Sequence, residues 1–337
     1  MTALDAAGTT TAPSARRGHP FPVVDAAPFL AGRPGALAGV AAGIARGFGE
    51  TGIFYLAGHG IPEATIDGAF HEARRFFALP AEERARVKMN DSQCGWQPPD
   101  AAVHKTGLAV QKRPSPSEAY KFALDVPPGD LDHGGHRRFR DRNQWPSGLP
   151  GFREAAQDWL RTFDRLSLRL LPALAAALDL SAGYFDASFD RSTSMGRFAW
   201  YPAVPDCEEG LLGSPMHTDL SFLSMIPPAD APGLEVRLPD GSWVEAPRID
   251  GAIMVLCGIT LERWSNGRFV GGPHRVLSNP SRSRLSTIYF CYPGLDAVVD
   301  AAPTCREYKG RTPQAPIAFG DLHAWYCDKN FRYVDHI

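Results

Sequence analysis

Apolar residues along this chain keep two rhythms, and the change between them falls near Ser192. Before that point Leu37, Val40, Ile44 and Phe48 recur at helical spacing and predict a helix ending near Gly49. Ile66, Phe70, Ala73 and Phe77 form a second stripe behind Pro62, a residue suited to a helix start because it has no N–H to leave unpaired. Phe152, Trp159, Phe163, Leu166, Leu170, Leu174 and Leu178 predict a third, longer helix. Pro172 should kink or break it, since the ring clashes with the carbonyl one turn back. Phe21-Pro-Val-Val-Asp25, ahead of the first helix, and Ile53 to Leu56, between the first two, read as short strands.

Past Ser192 the helical spacing gives way to short runs cut by Pro, Gly, Asp and Asn, the punctuation of antiparallel β structure. Leu234, Val236 and Leu238 alternate with Glu235 and Arg237, the chain turns at Pro239-Asp240-Gly241, and Trp243-Val244 returns, which is a hairpin with one buried face. Further strands fit Ala252 to Cys257, His274 to Leu277 and Arg284 to Tyr292. The expected fold is mainly β with flanking helices. Residues 1–20, rich in Ala and Thr, read as a disordered leader, and residues 21–337 as a single domain. Within it we expect a helix and strand region at 21–90, a variable insert on the substrate side at 91–150, and bracing helices at 151–190. A β core at 191–300 and a C-terminal segment at 301–337 complete it.

Composition narrows the partners. A net charge of −2 offers no field for nucleic acid or an acidic membrane, and 44% hydrophobic residues are enough for a sizeable core, so the expected partner is a small molecule. No segment has the length or apolarity of a signal peptide or membrane span. Cysteines at 94, 207, 257, 291, 305 and 327 include no Cys-x-x-Cys pair, so they read as reduced thiols. A cytoplasmic monomer is the expectation.

Within the β region His217 and Asp219 stand two apart, which on a strand would send both side chains to one face. His274, 57 positions later, lies on a separate predicted strand that can return beside them. Two neutral imidazoles and one carboxylate on one face of Fe(II) leave the opposite positions open for oxygen and an organic acid, the arrangement of non-haem oxygenases. The pair alone is weak, because His-x-Asp arises by chance in a chain with ten histidines. Arg284 and Ser286 strengthen it: they too are two apart on an apolar strand, and a buried guanidinium needs an anion, which its planar fork holds through two hydrogen bonds. Charge closes as well. Fe(II) and one aspartate leave one positive charge, a bound 2-oxo dicarboxylate reverses it, and Arg284 restores neutrality.

At these residues the chain resembles the isopenicillin-N-synthase-like branch of the Fe(II)/2-oxoglutarate oxygenases. The likeness extends over Phe21-Pro-Val-Val-Asp25, Gly52-Ile-Phe-Tyr-Leu-Ala-Gly-His-Gly-Ile-Pro62, Phe76-Phe-Ala-Leu-Pro-Ala-Glu-Glu83, Met216-His-Thr-Asp-Leu-Ser-Phe-Leu223, Pro232-Gly-Leu-Glu-Val-Arg237 and Ser265-Asn-Gly-Arg-Phe-Val-Gly-Gly-Pro-His-Arg-Val276. Residues 90–150 and the tail match poorly. The resemblance implies a double-stranded β-helix, or jelly roll, with iron at His217, Asp219 and His274. It implies 2-oxoglutarate held by Arg284, Ser286 and Tyr201, and a substrate ring against Phe290. Phe222, close to the ligands, is a further aromatic candidate for substrate contact. Plant members carry asparagine where this chain has Ala199, and His59 of the Gly-His-Gly motif reads as structural.

The implied reaction consumes O2 and 2-oxoglutarate, releases succinate and CO2, and hydroxylates a small molecule, with desaturation or cyclisation starting the same way. A specialised metabolite is the expected substrate. Lys105, Arg113 and Lys121 could receive an acid. Two rivals fit the same residues: an Fe(II) oxidase that does not use 2-oxoglutarate, and a jelly-roll binding protein without turnover.

Overall fold

Alternate residues of one strand face two different cores. Phe54 and Leu56 pack with the helices, whereas Ile53, Tyr55 and Ala57 pack toward a second sheet. The computed structural model describes residues 20–99, 101, 115–125, 139, 143–205 and 211–330.

The larger sheet contains β1 (Val23–Asp25), β2 (Ile53–Ala57), β3 (Gly95–Gln97), β4 (Glu118–Ala123), β5 (Met195–Tyr201), β7 (Leu223–Ile226), β10 (Ala252–Cys257) and β12 (Arg284–Cys291), in the order β1-β2-β10-β7-β12-β5-β4-β3. The smaller sheet runs β6-β11-β8-β9, from β6 (Leu212–His217), β11 (His274–Leu277), β8 (Leu234–Arg237) and β9 (Trp243–Glu245). A short ribbon, β13 (Val298–Val299) and β14 (Ile317–Ala318), stands apart. The two main sheets enclose a core that includes Ile53, Tyr55, Val236, Met254, Val276 and Ile288. This is a jelly roll.

Helices α2 (Ala36–Glu50), α3 (Glu63–Phe77) and α5 (Phe152–Ala176) cover the outer face of the larger sheet. Shorter helices are α1 (Ala27–Leu30), α4 (Ala81–Ala85), α6 (Asp186–Phe189) and α7 (Ile259–Trp264), and α8 (Phe319–Asn330) closes the described chain. The centre of α5 presents Trp159 and Phe163 inward, both wholly buried, and burying each such ring contributes about 2–3 kcal/mol. Tyr289 of β12 reaches Ser167 (2.7 Å) and Asp164 (2.9 Å) of α5, tying down the strand that also carries Arg284 and Ser286. Of the kink or break expected at Pro172 the break does not occur: α5 runs through the proline and ends at Ala176, short of Leu178. Leu170, Leu171, Ala173 and Leu174 around the proline are buried, and that packing offsets the roughly 3 kcal/mol an interior proline costs.

Residues 91–150 depart further from expectation. Their described parts supply β3 and β4, which extend the larger sheet beyond β5, with Tyr120 and Phe122 fully buried. The segment reads as a surface insert in sequence because β4, Glu-Ala-Tyr-Lys-Phe-Ala, is covered on both faces and holds two charges inside, so it lacks the period-2 alternation of a half-exposed strand. Lys105 and Arg113 lie outside the described residues, as do residues 1–19 of the expected leader.

Candidate active site

Antiparallel pairing of β6 and β11 sets His217 directly opposite His274, so the two rings leave the sheet side by side, their centroids 4.3 Å apart. Asp219 arrives differently from the sequence expectation. The strand stops at His217, and Asp219 lies two residues into the loop that follows. That loop is held by the junction of β10 and α7. Ile259 N–H donates to the Asp219 carbonyl at 2.8 Å, and Thr260 donates to Leu220 through its N–H at 3.2 Å and its hydroxyl at 2.5 Å. Gly258 permits this approach, because a Cβ there would collide with the Ser221 carbonyl oxygen.

One donor atom from each of His217, Asp219 and His274 lies within 4.8 Å of the others, and all three residues are buried. Nδ1 of His217 is 2.8 Å from the Pro215 carbonyl, and Nδ1 of His274 is 2.9 Å from that of Gly272. A carbonyl can only accept, so each Nδ1 carries the proton and each Nε2 presents a lone pair inward. Those Nε2 atoms sit 3.6 and 3.9 Å from Asp219 Oδ1. Asp219 Oδ2 accepts from Ser224 Oγ at 2.6 Å, and Ser221 Oγ backs that hydroxyl at 2.8 Å. Burial, with His274 alongside, holds His217 well below the usual imidazole pKa, so it is neutral at pH 7. Two inward-facing imidazole nitrogens and one fixed carboxylate are a donor set that fits Fe(II).

Across the interior, β12 pairs with β5 so that Arg284 faces Tyr201 and Ser286 faces Ala199. Arg284, Ser286 and Tyr201 share one narrow cleft with the triad. Arg284 is 6% exposed; its Nε donates to the Ala231 carbonyl at 3.2 Å and its guanidinium carbon lies 5.2 Å over the Tyr201 ring. The outward nitrogens of such a fork suit a carboxylate.

Phe290 lines both this cleft and a larger cavity that also reaches His217 and Asp219. Phe222 does not. Its ring is fully buried among Phe185 and Phe189, each 4.9 Å away, and Trp264 at 5.7 Å, so it is core rather than a substrate contact. His59 accepts the Ile61 N–H at 3.1 Å within its own loop, which agrees with a structural role.

The larger cavity opens beside His217 and Asp219 and combines polar and aromatic side chains in its wall. Sequence reasoning missed most of its wall: Arg197 of β5, Tyr292 just past β12, and His323 and Tyr326 of α8. Arg197 was accessible in principle, since alternation puts 197, 199 and 201 on one face. No sequence pattern announced α8. Lys121 of β4 lies opposite Arg197 in register and lines the same cavity, where burial, aided by Arg197, pulls its ammonium down to about 7.

This fold and donor set meet direct counterparts among known proteins. A family model for the N-terminal part of non-haem dioxygenases in morphine synthesis matches residues 21–148, and one for the 2OG-Fe(II) oxygenase superfamily matches 191–293. The first match runs through almost all of the segment whose likeness the sequence alone makes poor. Kihadalactone A synthase of Citrus sinensis is 30% identical over 297 residues, covering 85% of each chain. Hyoscyamine 6-dioxygenase of Hyoscyamus niger is 29% identical over 286 residues, 84% of this chain and 80% of that one. A full-length Neurospora crassa protein, solved in complex with alpha-KG and thymine, superposes with a TM-score of 0.79 at 24% identity, covering 94% of this chain and 99% of that one. The chain belongs to the Fe(II)/2-oxoglutarate-dependent oxygenases. It is a dioxygenase that takes Fe(II) as cofactor and 2-oxoglutarate as cosubstrate, with a small molecule as its substrate.

Proposed function

We propose that His217, Asp219 and His274 hold the ferrous ion, that Arg284, Ser286 and Tyr201 bind the distal carboxylate of 2-oxoglutarate, and that the protein hydroxylates a specialised metabolite. The observation that carries this reading is the buried triad, its two imidazoles locked with Nε2 inward, facing an arginine fork in the same cleft. Bound there, iron and 2-oxoglutarate supply oxidising power by coupling reduction of O2 to release of succinate and CO2.

The protein's own groups do the rest. Ser224 fixes one oxygen of Asp219 and leaves the other toward the centre. The Arg284 fork orients the cosubstrate, and Ser286 adds a hydroxyl donor beside it. Phe290, stacked against Tyr292 at 6.0 Å, offers an apolar wall that positions the carbon to be oxidised and keeps water from it. The relatives named for kihadalactone A and for hyoscyamine support a specialised metabolite as the substrate class. Buried free thiols at all five described cysteines support a reducing, cytoplasmic setting. Only Leu277, Val298 and Trp325 are exposed large apolar residues among those described, which supports a monomer, and no described helix is long and apolar enough to cross a membrane.

Succinate formed from 2-oxoglutarate under air, with and without iron, tests the assignment. Iron-dependent succinate lost in both His217→Ala and Arg284→Met supports it; succinate formation that survives either change removes that residue from the site.

A further inference from the structure

The cavity wall contains a cation that the iron and cosubstrate do not account for. Arg197 is 8% exposed, its Nε has no hydrogen-bond partner among the described residues, and it borders both the triad cleft and the larger cavity. An unpaired donor on a buried charge is costly, so a site that keeps one is built for a ligand that supplies the acceptor.

The cosubstrate does not fill that role in the assignment above. Iron, Asp219, 2-oxoglutarate and Arg284 already sum to zero charge, so Arg197 is an excess positive charge at the substrate side. Position agrees: Arg197 is four residues from Tyr201 along β5, roughly 13 Å of backbone at about 3.3 Å per residue, and unlike Arg284 it also lines the larger cavity. Lys121 adds to the excess. It stands directly across from Arg197 on β4, lines the same cavity, and donates to Gln93 Oε1 at 3.3 Å. Phe290 and Tyr292 supply an apolar wall in the same space.

We propose that the substrate is an organic acid with an apolar body, and that Arg197, with Lys121 beside it, receives its carboxylate while the body lies along Phe290 and Tyr292. Fixing one end at Arg197 leaves the other end of the molecule to be presented to the triad, so the distance between carboxylate and oxidised carbon becomes a selection rule. This deepens the iron and 2-oxoglutarate reading and rests on it for the charge balance.

The test uses the Fe(II) protein under anaerobic conditions. Formation of the 2-oxoglutarate complex is recorded first by its visible absorption, so failure of the underlying reading shows itself before any substrate probe is added. Phenylpropionate, cinnamate and octanoate are then titrated, each against its primary amide, with tryptophan fluorescence as the readout. At least one acid should bind about tenfold or more tighter than its amide, as a charge-assisted pair requires. Arg197→Gln should erase that preference, Arg197→Lys should recover part of it, and Lys121→Gln should weaken the acid selectively. Equal affinity for acid and amide, no saturable binding of any acid at millimolar concentration, or an undiminished preference in a folded Arg197→Gln protein overturns the proposal. A loss of 2-oxoglutarate affinity as large as the loss of acid affinity in that variant also overturns it, because Arg197 would then serve the cosubstrate.

Discussion

Arg284 and Tyr201 stand opposite each other where β12 pairs with β5, the guanidinium carbon 5.2 Å over the phenol ring. That contact, with the Nε hydrogen bond to the Ala231 carbonyl, restrains the fork before any ligand arrives, which lowers the ordering cost of binding a carboxylate. Replacing Arg284 with Met should therefore raise the KM for 2-oxoglutarate at least about thirtyfold, the equivalent of ~2 kcal/mol. Arg284→Lys should recover only part, since a point charge cannot reproduce two parallel hydrogen bonds. Succinate formation measured against 2-oxoglutarate concentration checks both.

Ser224 bears on the proposed iron site through Asp219. Its hydroxyl, 2.6 Å from Oδ2, leaves Oδ1 as the oxygen nearest both imidazoles. Ser224→Ala should lower Fe(II) affinity about 10- to 100-fold, the usual cost of losing an outer hydrogen bond to a ligand, while leaving the fold intact. Competition with a chelator reads the affinity, and the far-ultraviolet circular dichroism reads the fold.

Much of this arrangement was legible in the sequence, for identifiable reasons. Arg284, Ser286 and Phe290 lie on one long β strand, so their shared face followed from alternation alone. Asp219 reaches the triad although it is not on the strand its spacing predicts, because convergence there depends on hydrogen bonds from Ile259 and Thr260 to the Asp219 and Leu220 carbonyls, forty residues away in sequence. Nothing local encodes such contacts. Phe222 misleads for the opposite reason: three residues from Asp219 in sequence, it turns into a box of aromatic rings contributed by α6 and α7. β4 escapes notice because burial on both faces removes the alternation by which a strand is recognised.

Gly258 is a second position where the ligand loop can be broken without touching a ligand. A methyl group there would collide with the Ser221 carbonyl, so Gly258→Ala must push the Asp219 loop away from β10. The expected cost is about 1–3 kcal/mol of stability together with reduced iron retention. Gly39→Ala, in α2 with nothing within 4 Å of its added carbon, is the control and should be neutral or slightly stabilising. Thermal melts with and without Fe(II) separate the two.

Lys121 should impose a pH dependence on stability. Burial lowers its pKa to about 7, below its value in the unfolded chain of about 10.4. The unfolded state therefore binds more protons between those values. The penalty is full below pH ~7 and is relieved as pH rises toward 10.4. Lys121→Met should raise Tm most below pH ~7, with the gain shrinking above it. A gain that grows with pH contradicts the assigned burial.

The central claim is that three side chains, one of them from a loop, create a single ferrous site facing the 2-oxoglutarate clamp. Anaerobic titration of the Fe(II) protein with 2-oxoglutarate, followed by visible absorption, tests it most directly. The native protein should develop a charge-transfer band that saturates with one equivalent of iron, and Asp219→Ala should retain neither the iron nor the band. A native protein without the band, or an Asp219→Ala protein that keeps both, would contradict the account.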